Sequence, residues 1–206
     1  MYKASNTIKI ILLGEAGVGK TNLINVCCDL KFEENSQSSM TSSFLEKKVT
    51  IKETEFNLRI WDTAGQERFR CLNSLFINDS QICIFVYDVT RRDTFKEIEY
   101  WVKTVEEKLG KKPIFGLAGN KSDLYDETQV SQEDGENYAK EIGASFALTS
   151  AKVNKAGFVV FVNELVQKFL ESNKFNEWEF VSDKKQKENI DINTKNGEKE
   201  KKSCCK

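Results

Sequence analysis

The feature that most constrains this chain is the octapeptide "GEAGVGKT" at residues 14–21. It follows "IKIILLG" (8–14), a continuous apolar run rich in β-branched residues, which is typical of a strand buried on both faces. A helical pattern follows it. The octapeptide matches GxxxxGK[ST], in which glycines turn successive N–H groups toward a phosphate at a helix N-terminus. The parts of the motif are Gly14, Gly17 and Gly19 for the turn, Lys20 for charge and Thr21 for Mg²⁺. A tight turn with a chance lysine is the alternative, and the flanking strand and helix disfavour it.

Strand and helix patterns alternate from residue 8 to about residue 174. Buried strands are predicted at 8–14, 81–88, 114–120 and 145–150, with a hairpin of 45–51 and 56–62 joined by "KETE". Helices are predicted near 20–30, 94–109, 131–142 and 156–172, the third opened by the capping sequence "SQED". This alternation predicts an α/β domain with a six-stranded, mostly parallel sheet, one antiparallel strand and helices on both faces.

The composition changes near residue 175. Residues 1–174 are expected to form the domain, whereas 175–206 are charged and nearly free of large apolar residues, which predicts a disordered tail. The net charge of -1 offers no global field for nucleic acid. No run approaches the roughly 20 apolar residues of a membrane span, and the first apolar run is too short for a signal peptide. Cys27, Cys28 and Cys83 are expected to be core thiols of a cytosolic protein.

Two later stretches indicate which base is bound. "GNKSD" (119–123) and "TSAK" (149–152) each follow a predicted strand, so both lie at the carboxyl edge of the sheet, where ligands of open α/β folds bind. Asp123 can accept from the ring N–H and the amine of guanine, a donor pair that adenine lacks. Asn120 would connect this loop to the phosphate loop (residues 14–21). Lys121 would cover one face of the base, and the Ala151 N–H would donate to the guanine oxygen. An ordinary Asx turn explains an isolated NKxD, but not one placed after a phosphate loop.

The stretch "WDTAGQE" (61–67) suits a metal and an attacking water. Asp62 would hold Mg²⁺ through a water beside Thr21, the Gly65 N–H would meet the γ-phosphate, and Gln66 would orient the water. Phosphoryl transfer needs positioning and charge neutralisation more than a covalent nucleophile, so the absence of histidine is no objection.

With these motifs in order, the chain resembles a small GTPase of the Ras superfamily, most closely the early-endosomal branch of the Rab family. The resemblance covers about residues 6–172, and "FEENSQSSMTSSFLEKKV" and "YDVTRRDTFKEIEYWV" point to that branch. It implies GTP and GDP as ligands, Mg²⁺ as cofactor, and Gln66 and Lys20 as catalytic residues. The implied metal ligands are Thr21, Ser39 and Asp62. The implied nucleotide-binding residues are Glu15, Ala16, Gly17, Val18, Gly19, Lys20, Thr21, Asn22, Phe32, Ser39, Asp62, Gly65, Asn120, Lys121, Asp123, Leu124, Ser150, Ala151 and Lys152.

The resemblance also implies a molecular switch in vesicle trafficking. Residues 33–44 and 64–78 would be loops that GTP orders, and Phe44, Trp61 and Phe76 would be the aromatic triad that effector proteins contact. A buried core role for Trp61 is the alternative. The expected partners are effectors, an exchange factor, a GTPase-activating protein, and prenylation escort and extraction proteins. The protein would be a monomer on the cytosolic face of early endosomes, with a soluble cytosolic pool and no nucleic-acid partner.

The sequence closes on "KSCCK", with Cys204 and Cys205 adjacent. Neighbouring Cα atoms lie about 3.8 Å apart, below the usual disulfide range of about 4.4–6.8 Å. The pair matches the Rab site for two geranylgeranyl groups, which predicts membrane attachment by lipid anchors. Two incidental thiols in a disordered tail are the alternative.

The chain departs from the family pattern in three places. Ser39 stands where a threonine usually coordinates Mg²⁺, and Thr41 stands where glycine is usual. Ala16 replaces a glycine of many relatives, and its methyl group would crowd the γ-phosphate. "LFIND" (75–79) replaces a tyrosine-rich end of the second loop. Ala16 and Ser39 leave open a nucleotide-locked scaffold that hardly hydrolyses GTP, which Gln66 argues against. A small-molecule kinase would need a second substrate site and a lid, for which the sequence has no spare arginine-rich segment.

Overall fold

The computed structural model describes residues 6–34, 43–63 and 76–172. One compact unit spans Ser5–Phe169, and of a second unit only residues 170–172, at the end of the last helix, are described. The predicted boundary between a domain (1–174) and a tail (175–206) lies outside the described residues and stays a prediction.

The described strands form one six-stranded sheet in the order β2-β3-β1-β4-β5-β6. They are β1 (Thr7–Leu13), β2 (Ser43–Ile51), β3 (Thr54–Asp62), β4 (Ile82–Asp88), β5 (Ile114–Asn120) and β6 (Ser145–Leu148). β2 runs antiparallel to β3 at the edge, and the other neighbouring pairs are parallel. The predicted fold class is confirmed. The last strand is shorter than predicted, because the chain leaves the sheet after Leu148.

The hairpin between β2 and β3 has a tighter connection than the predicted "KETE". Ile51 pairs with Thr54, which leaves only Lys52 and Glu53 in the turn. Both have positive φ, 48° and 64°, the geometry of a two-residue turn whose twist matches that of its strands. Neither residue is the glycine or asparagine that usually marks such a turn, so the dipeptide carries no local signal for it.

Five α-helices lie entirely within the described ranges, and no helix described there is long and apolar enough to cross a bilayer. They are α1 (Lys20–Cys27), α2 (Arg92–Lys96), α3 (Ile98–Lys108), α4 (Gln132–Ile142) and α5 (Lys155–Glu171). The predicted capping box of α4 is present, because Ser131 Oγ accepts from the Asp134 N–H at 3.0 Å and Asp134 Oδ2 from the Ser131 N–H at 3.4 Å.

Two predicted helices were wrong in extent. The pattern at 94–109 divides into α2 and α3 at Glu97. The first helix ends at Cys27 rather than near residue 30, because Asp29 adopts a left-handed φ of 62° and the Leu30 N–H closes the turn on the Asn25 carbonyl.

Alternate residues of the central strands face opposite layers of helix. Phe115 and Leu117 of β5 belong to a cluster with Trp101 of α3. Gly116, between them, lies against Phe161 and Leu165 of α5 on the other face. Since side chains alternate along a strand, these contacts mean that helices cover both faces of the sheet. Strands β3, β4 and β5 end in polar residues at the carboxyl edge.

Candidate functional site

The loop between β1 and α1 can be built only with glycine at two of its positions. A Cβ at Gly14 would stand 2.1 Å from the Val86 carbonyl oxygen of β4. A Cβ at Gly19, whose φ is 95°, would stand 2.5 Å from Asn120 Nδ2. The loop therefore lies directly against the ends of β4 and β5, and it delivers the chain to the N-terminus of α1, where N–H groups favour an anion.

Lys20 is a buried cation inside this loop. The residue is only 5% exposed, and its Nζ donates to the carbonyl oxygens of Gly14 at 2.8 Å and Glu15 at 2.9 Å. Burial lowers the pKa of Lys20 to about 8, against the opposing attraction of Asp62 and Glu15. A buried ammonium is stabilised when an anion joins it, so the phosphate groups of a nucleotide fit this position.

Thr21 and Asp62 meet beside Lys20. The Thr21 hydroxyl at the start of α1 donates to Asp62 Oδ2 at the end of β3, over 2.7 Å. A hydroxyl and a carboxylate are hard oxygen ligands of the kind Mg²⁺ prefers, with water and phosphate oxygens completing its shell. The donor set fits Mg²⁺. Ser39, the third predicted ligand, lies outside the described residues.

The predicted base-binding residues come together at the ends of β5 and β6. Asn120 Nδ2 donates to the Val18 carbonyl of the phosphate loop at 2.8 Å, and its Oδ1 accepts from Thr149 Oγ1 at 3.3 Å. Ser150 Oγ donates to Asp123 Oδ1 at 2.6 Å and accepts from the Val153 N–H at 3.0 Å. The Asp123 carboxylate is thereby oriented by a buried serine, as recognition of a donor pair requires.

Lys121 has a partner that the sequence analysis did not identify. It adopts a positive φ of 64°, and its Nζ lies 2.6 Å from Oδ2 of Asp88, a residue only 1% exposed. Oδ1 of the same carboxylate accepts from the Thr90 N–H and hydroxyl. Asp88 ends β4 directly opposite Asn120 in the sheet register, so its position at the carboxyl edge was the available signal.

Asn22 contacts the chain that leads into the first predicted switch loop. Its Nδ2 donates to the Glu33 carbonyl and its Oδ1 accepts from the Glu33 N–H, both over 2.9 Å. Lys152, of "TSAK", pairs with Glu34 Oε1 at 2.8 Å. Phe32, which is partly buried, therefore lies in a segment held by α1 on one side and by the chain after β6 on the other.

Two further predicted nucleotide-binding residues differ in exposure. Ala151 is buried, whereas Leu124, which follows the loop of residues 119–123, is 37% exposed. The predicted residues that lie outside the described ranges are Ser39, Gly65, Gln66, Cys204 and Cys205.

The three predicted effector-binding aromatics stack in a row. Phe44 and Trp61 face each other across β2 and β3 with ring centroids 4.9 Å apart, and Phe76 lies 5.3 Å beyond Trp61. Trp61 and Phe76 pack against the core, while Phe44 is 43% exposed. The row therefore presents an apolar surface beside the site.

Known proteins are similar in sequence to this chain over most of its length. The Ras family profile matches residues 9–171. Ras-related protein Rab-21 of Mus musculus is 41% identical over 171 residues, 83% of this chain and 77% of that protein. The Homo sapiens protein of the same name is 40% identical, with 83% of this chain and 76% of that protein covered. That of Geodia cydonium is 39% identical, with 83% and 74% covered.

Proposed function

Because this chain belongs to the Ras family of small GTPases and to its Rab branch, we propose that it recruits effector proteins to early-endosomal membranes while GTP is bound. As a member of this family the chain is a GTPase, which converts GTP and water to GDP and phosphate. Hydrolysis would end recruitment, so the protein would act as a timed switch in vesicle trafficking.

The observation that carries the proposal is that adjacent residues of α1 hold the starts of both predicted switch loops. Asn22 binds the backbone of Glu33, where the first loop (33–44) begins, and Thr21 binds Asp62, just before the second loop (64–78). A change in what occupies the phosphate loop at α1 would therefore act on both loops at once.

The far ends of the same loops supply the proposed effector surface. Phe44 ends the first loop and Phe76 lies near the end of the second, and each ring stacks on Trp61. The state of both loops would thus be reported at one aromatic row, which suits the binding of a partner with an apolar face.

Within the proposed site, the surroundings of the described residues support a role for each of them. Lys20 would neutralise charge on the outer phosphates, Thr21 and Asp62 would hold Mg²⁺, and Asp123 would recognise guanine. Gln66 would orient the attacking water, a role that rests on the family resemblance. Mg²⁺ would supply charge neutralisation on the phosphate oxygens.

Membrane attachment is proposed through geranylgeranyl chains on Cys204 and Cys205. One lipid gives only reversible binding, whereas two hold a protein firmly. Acidic residues dilute the lysines of residues 175–206, so a basic patch would not replace a lost lipid. Exchange factors, activating proteins and lipid-binding escorts would then set where and when the switch operates.

The test uses the tagged full chain in cells and its GTP-bound and GDP-bound forms in affinity capture. The Gln66→Leu variant should accumulate in the GTP-bound form. It should colocalise with early-endosomal markers rather than with Golgi or plasma-membrane markers. Proteins that the GTP-bound wild type captures should not be captured by the GDP-bound wild type or by the GTP-bound Phe44→Ala variant. Capture that is indifferent to the nucleotide, or a wild-type chain that never reaches endosomes, would contradict the proposal.

A further inference from the structure

Arg91 reaches from the end of β4 to the phosphate loop. Its Nη1 donates to the Ala16 carbonyl oxygen at 3.3 Å, a contact between residues 75 apart in the chain. Its Nη2 pairs with Asp93 Oδ2 at 2.7 Å. None of the roles proposed for the nucleotide site includes this arginine.

We infer that Arg91 is a positioning residue for the nucleotide phosphates, which it serves by holding the peptide group between Ala16 and Gly17 in one orientation. The inference rests on the proposed nucleotide site and names a residue that supports it from outside.

The peptide group between Ala16 and Gly17 is planar, so the directions of its C=O and N–H are linked. In a trans peptide the C=O of one residue and the N–H of the next point in opposite directions, and the described residues include no cis bond. Because Arg91 binds the Ala16 oxygen, the Gly17 N–H points away from Arg91. In the described part of the chain no protein acceptor receives that N–H. A phosphate oxygen would complete it, as in other loops of successive N–H donors.

The segment that carries Arg91 is itself held in place, so the arginine is prepared for this contact. The Arg91 N–H donates to the Asp88 carbonyl at 3.0 Å, and its own carbonyl accepts from Thr94 Oγ1 at 2.7 Å. Asp88 in turn binds Lys121 of the base loop. The Asp93 carboxylate fixes one side of the guanidinium and leaves Nη1 for the Ala16 oxygen. Fixed partners reduce the conformational entropy that the contact costs.

The matched control is the next arginine in the chain. Arg92 carries the same charge, but its Nη1 donates to the Gln129 carbonyl at 3.0 Å and lies 3.5 Å from Asp134. Arg92→Ala therefore removes an equal charge from the same segment without touching the phosphate loop. Arg91→Lys keeps the positive charge and an N–H donor on a side chain of similar length.

The experiment compares the binding of GDP and GMP to the full-length wild type and to Arg91→Ala, Arg91→Lys and Arg92→Ala, with Mg²⁺ present. The Gly17 N–H belongs to the loop that would hold the phosphates beyond the first, so Arg91→Ala should raise the Kd of GDP roughly three- to tenfold, the range of one ordinary hydrogen bond. The Kd of GMP should stay within about twofold of wild type. Arg91→Lys should recover a part of the loss, and Arg92→Ala should match wild type for both ligands.

Two results would overturn the inference. One is an unchanged Kd of GDP in Arg91→Ala. The other is an equal loss for GMP and GDP, which would mean that the substitution loosens the fold rather than the phosphate contacts. A wild-type chain that does not bind GDP would instead overturn the proposed function, so the two failures can be told apart.

Discussion

The side-chain amide of Asn120 donates to the carbonyl oxygen of Val18 over 2.8 Å, a hydrogen bond that joins residues 102 apart and is buried. It connects the loop that would read the base to the loop that would hold the phosphates. Asn120 is therefore one of the groups that set the separation between the two halves of the site.

Asn120→Asp should loosen nucleotide binding because a carboxylate has the same shape but cannot donate to Val18. Leaving a buried acceptor unpaired costs about 1–3 kcal/mol, which predicts a GDP dissociation rate roughly 5- to 150-fold faster than wild type. Stopped-flow release of a fluorescent GDP analogue measures it. Thr149→Val, which removes only the longer 3.3 Å bond to Asn120, is the control and should have a smaller effect. Equal rates for wild type and Asn120→Asp would contradict the expected connection.

Asp123 should set the preference for guanine. A site built to bind the paired donors of a base rejects one that lacks them by a hundredfold or more, so GDP should displace a labelled nucleotide at concentrations about 100 times lower than ADP does. Asp123→Asn should lose this preference and bind xanthosine diphosphate better, because the amide can donate to the oxygen that xanthine carries in place of the amine. Ser150→Ala should weaken GDP binding but keep the order of preference, since it removes the 2.6 Å bond that orients the carboxylate and the 3.0 Å bond from the Val153 N–H but leaves the Asp123 carboxylate itself in place. Comparable inhibition constants for GDP and ADP in the wild type would refute this role.

Thr21 should govern the response to magnesium. Thr21→Ala removes the hydroxyl that lies 2.7 Å from Asp62 Oδ2, and with it one proposed ligand of the ion. Wild-type GDP release should accelerate when EDTA removes Mg²⁺, whereas release from Thr21→Ala should already be fast and change little. Thr21→Ser keeps the hydroxyl and should behave like the wild type. If Thr21→Ala responds to EDTA as the wild type does, then Thr21 does not bind the ion.

Two buried thiols should be unreactive in the folded protein. Burial raises the pKa of Cys27 to about 12, with Cys28 adding to the shift and Lys47 opposing it, and burial also raises the pKa of Cys83. Since the thiolate is the nucleophile, iodoacetamide at pH 8 should spare both residues in the native chain and modify both in guanidinium chloride.

The same shifts predict how stability depends on pH. An unfolded thiol ionises near pH 8.5, and the folded thiols hold their protons above that value. The free energy of unfolding should therefore be insensitive to these groups below about pH 8.5 and should fall as the pH rises above it. Cys27→Ala should reduce that fall in a denaturant titration. Rapid native alkylation of Cys27 would contradict both expectations.

Local patterns predicted most of the fold. Continuous apolar runs gave the parallel strands, alternation gave the hairpin, and "SQED" gave the cap of α4, because each depends on neighbours a few residues apart. The errors have the same origin. The left-handed turn at Lys52 and Glu53 is imposed by the pairing of β2 with β3 over nine residues each, and nothing in the dipeptide itself requires it.

The sequence by itself determined which chemical groups stand at the carboxyl edge of the sheet: the glycine loop with Lys20, the Thr21 hydroxyl, the Asp62 carboxylate and the Asn120–Asp123 loop. Their order along the chain and their places at strand ends were enough. Tertiary structure alone decided how these groups are held: Asp88 beside Lys121, Asn22 on the backbone of Glu33, and Arg91 on the Ala16 carbonyl. Those contacts join segments that only the packed sheet brings within a few ångströms, and no periodicity or spacing in a single sequence records such distances.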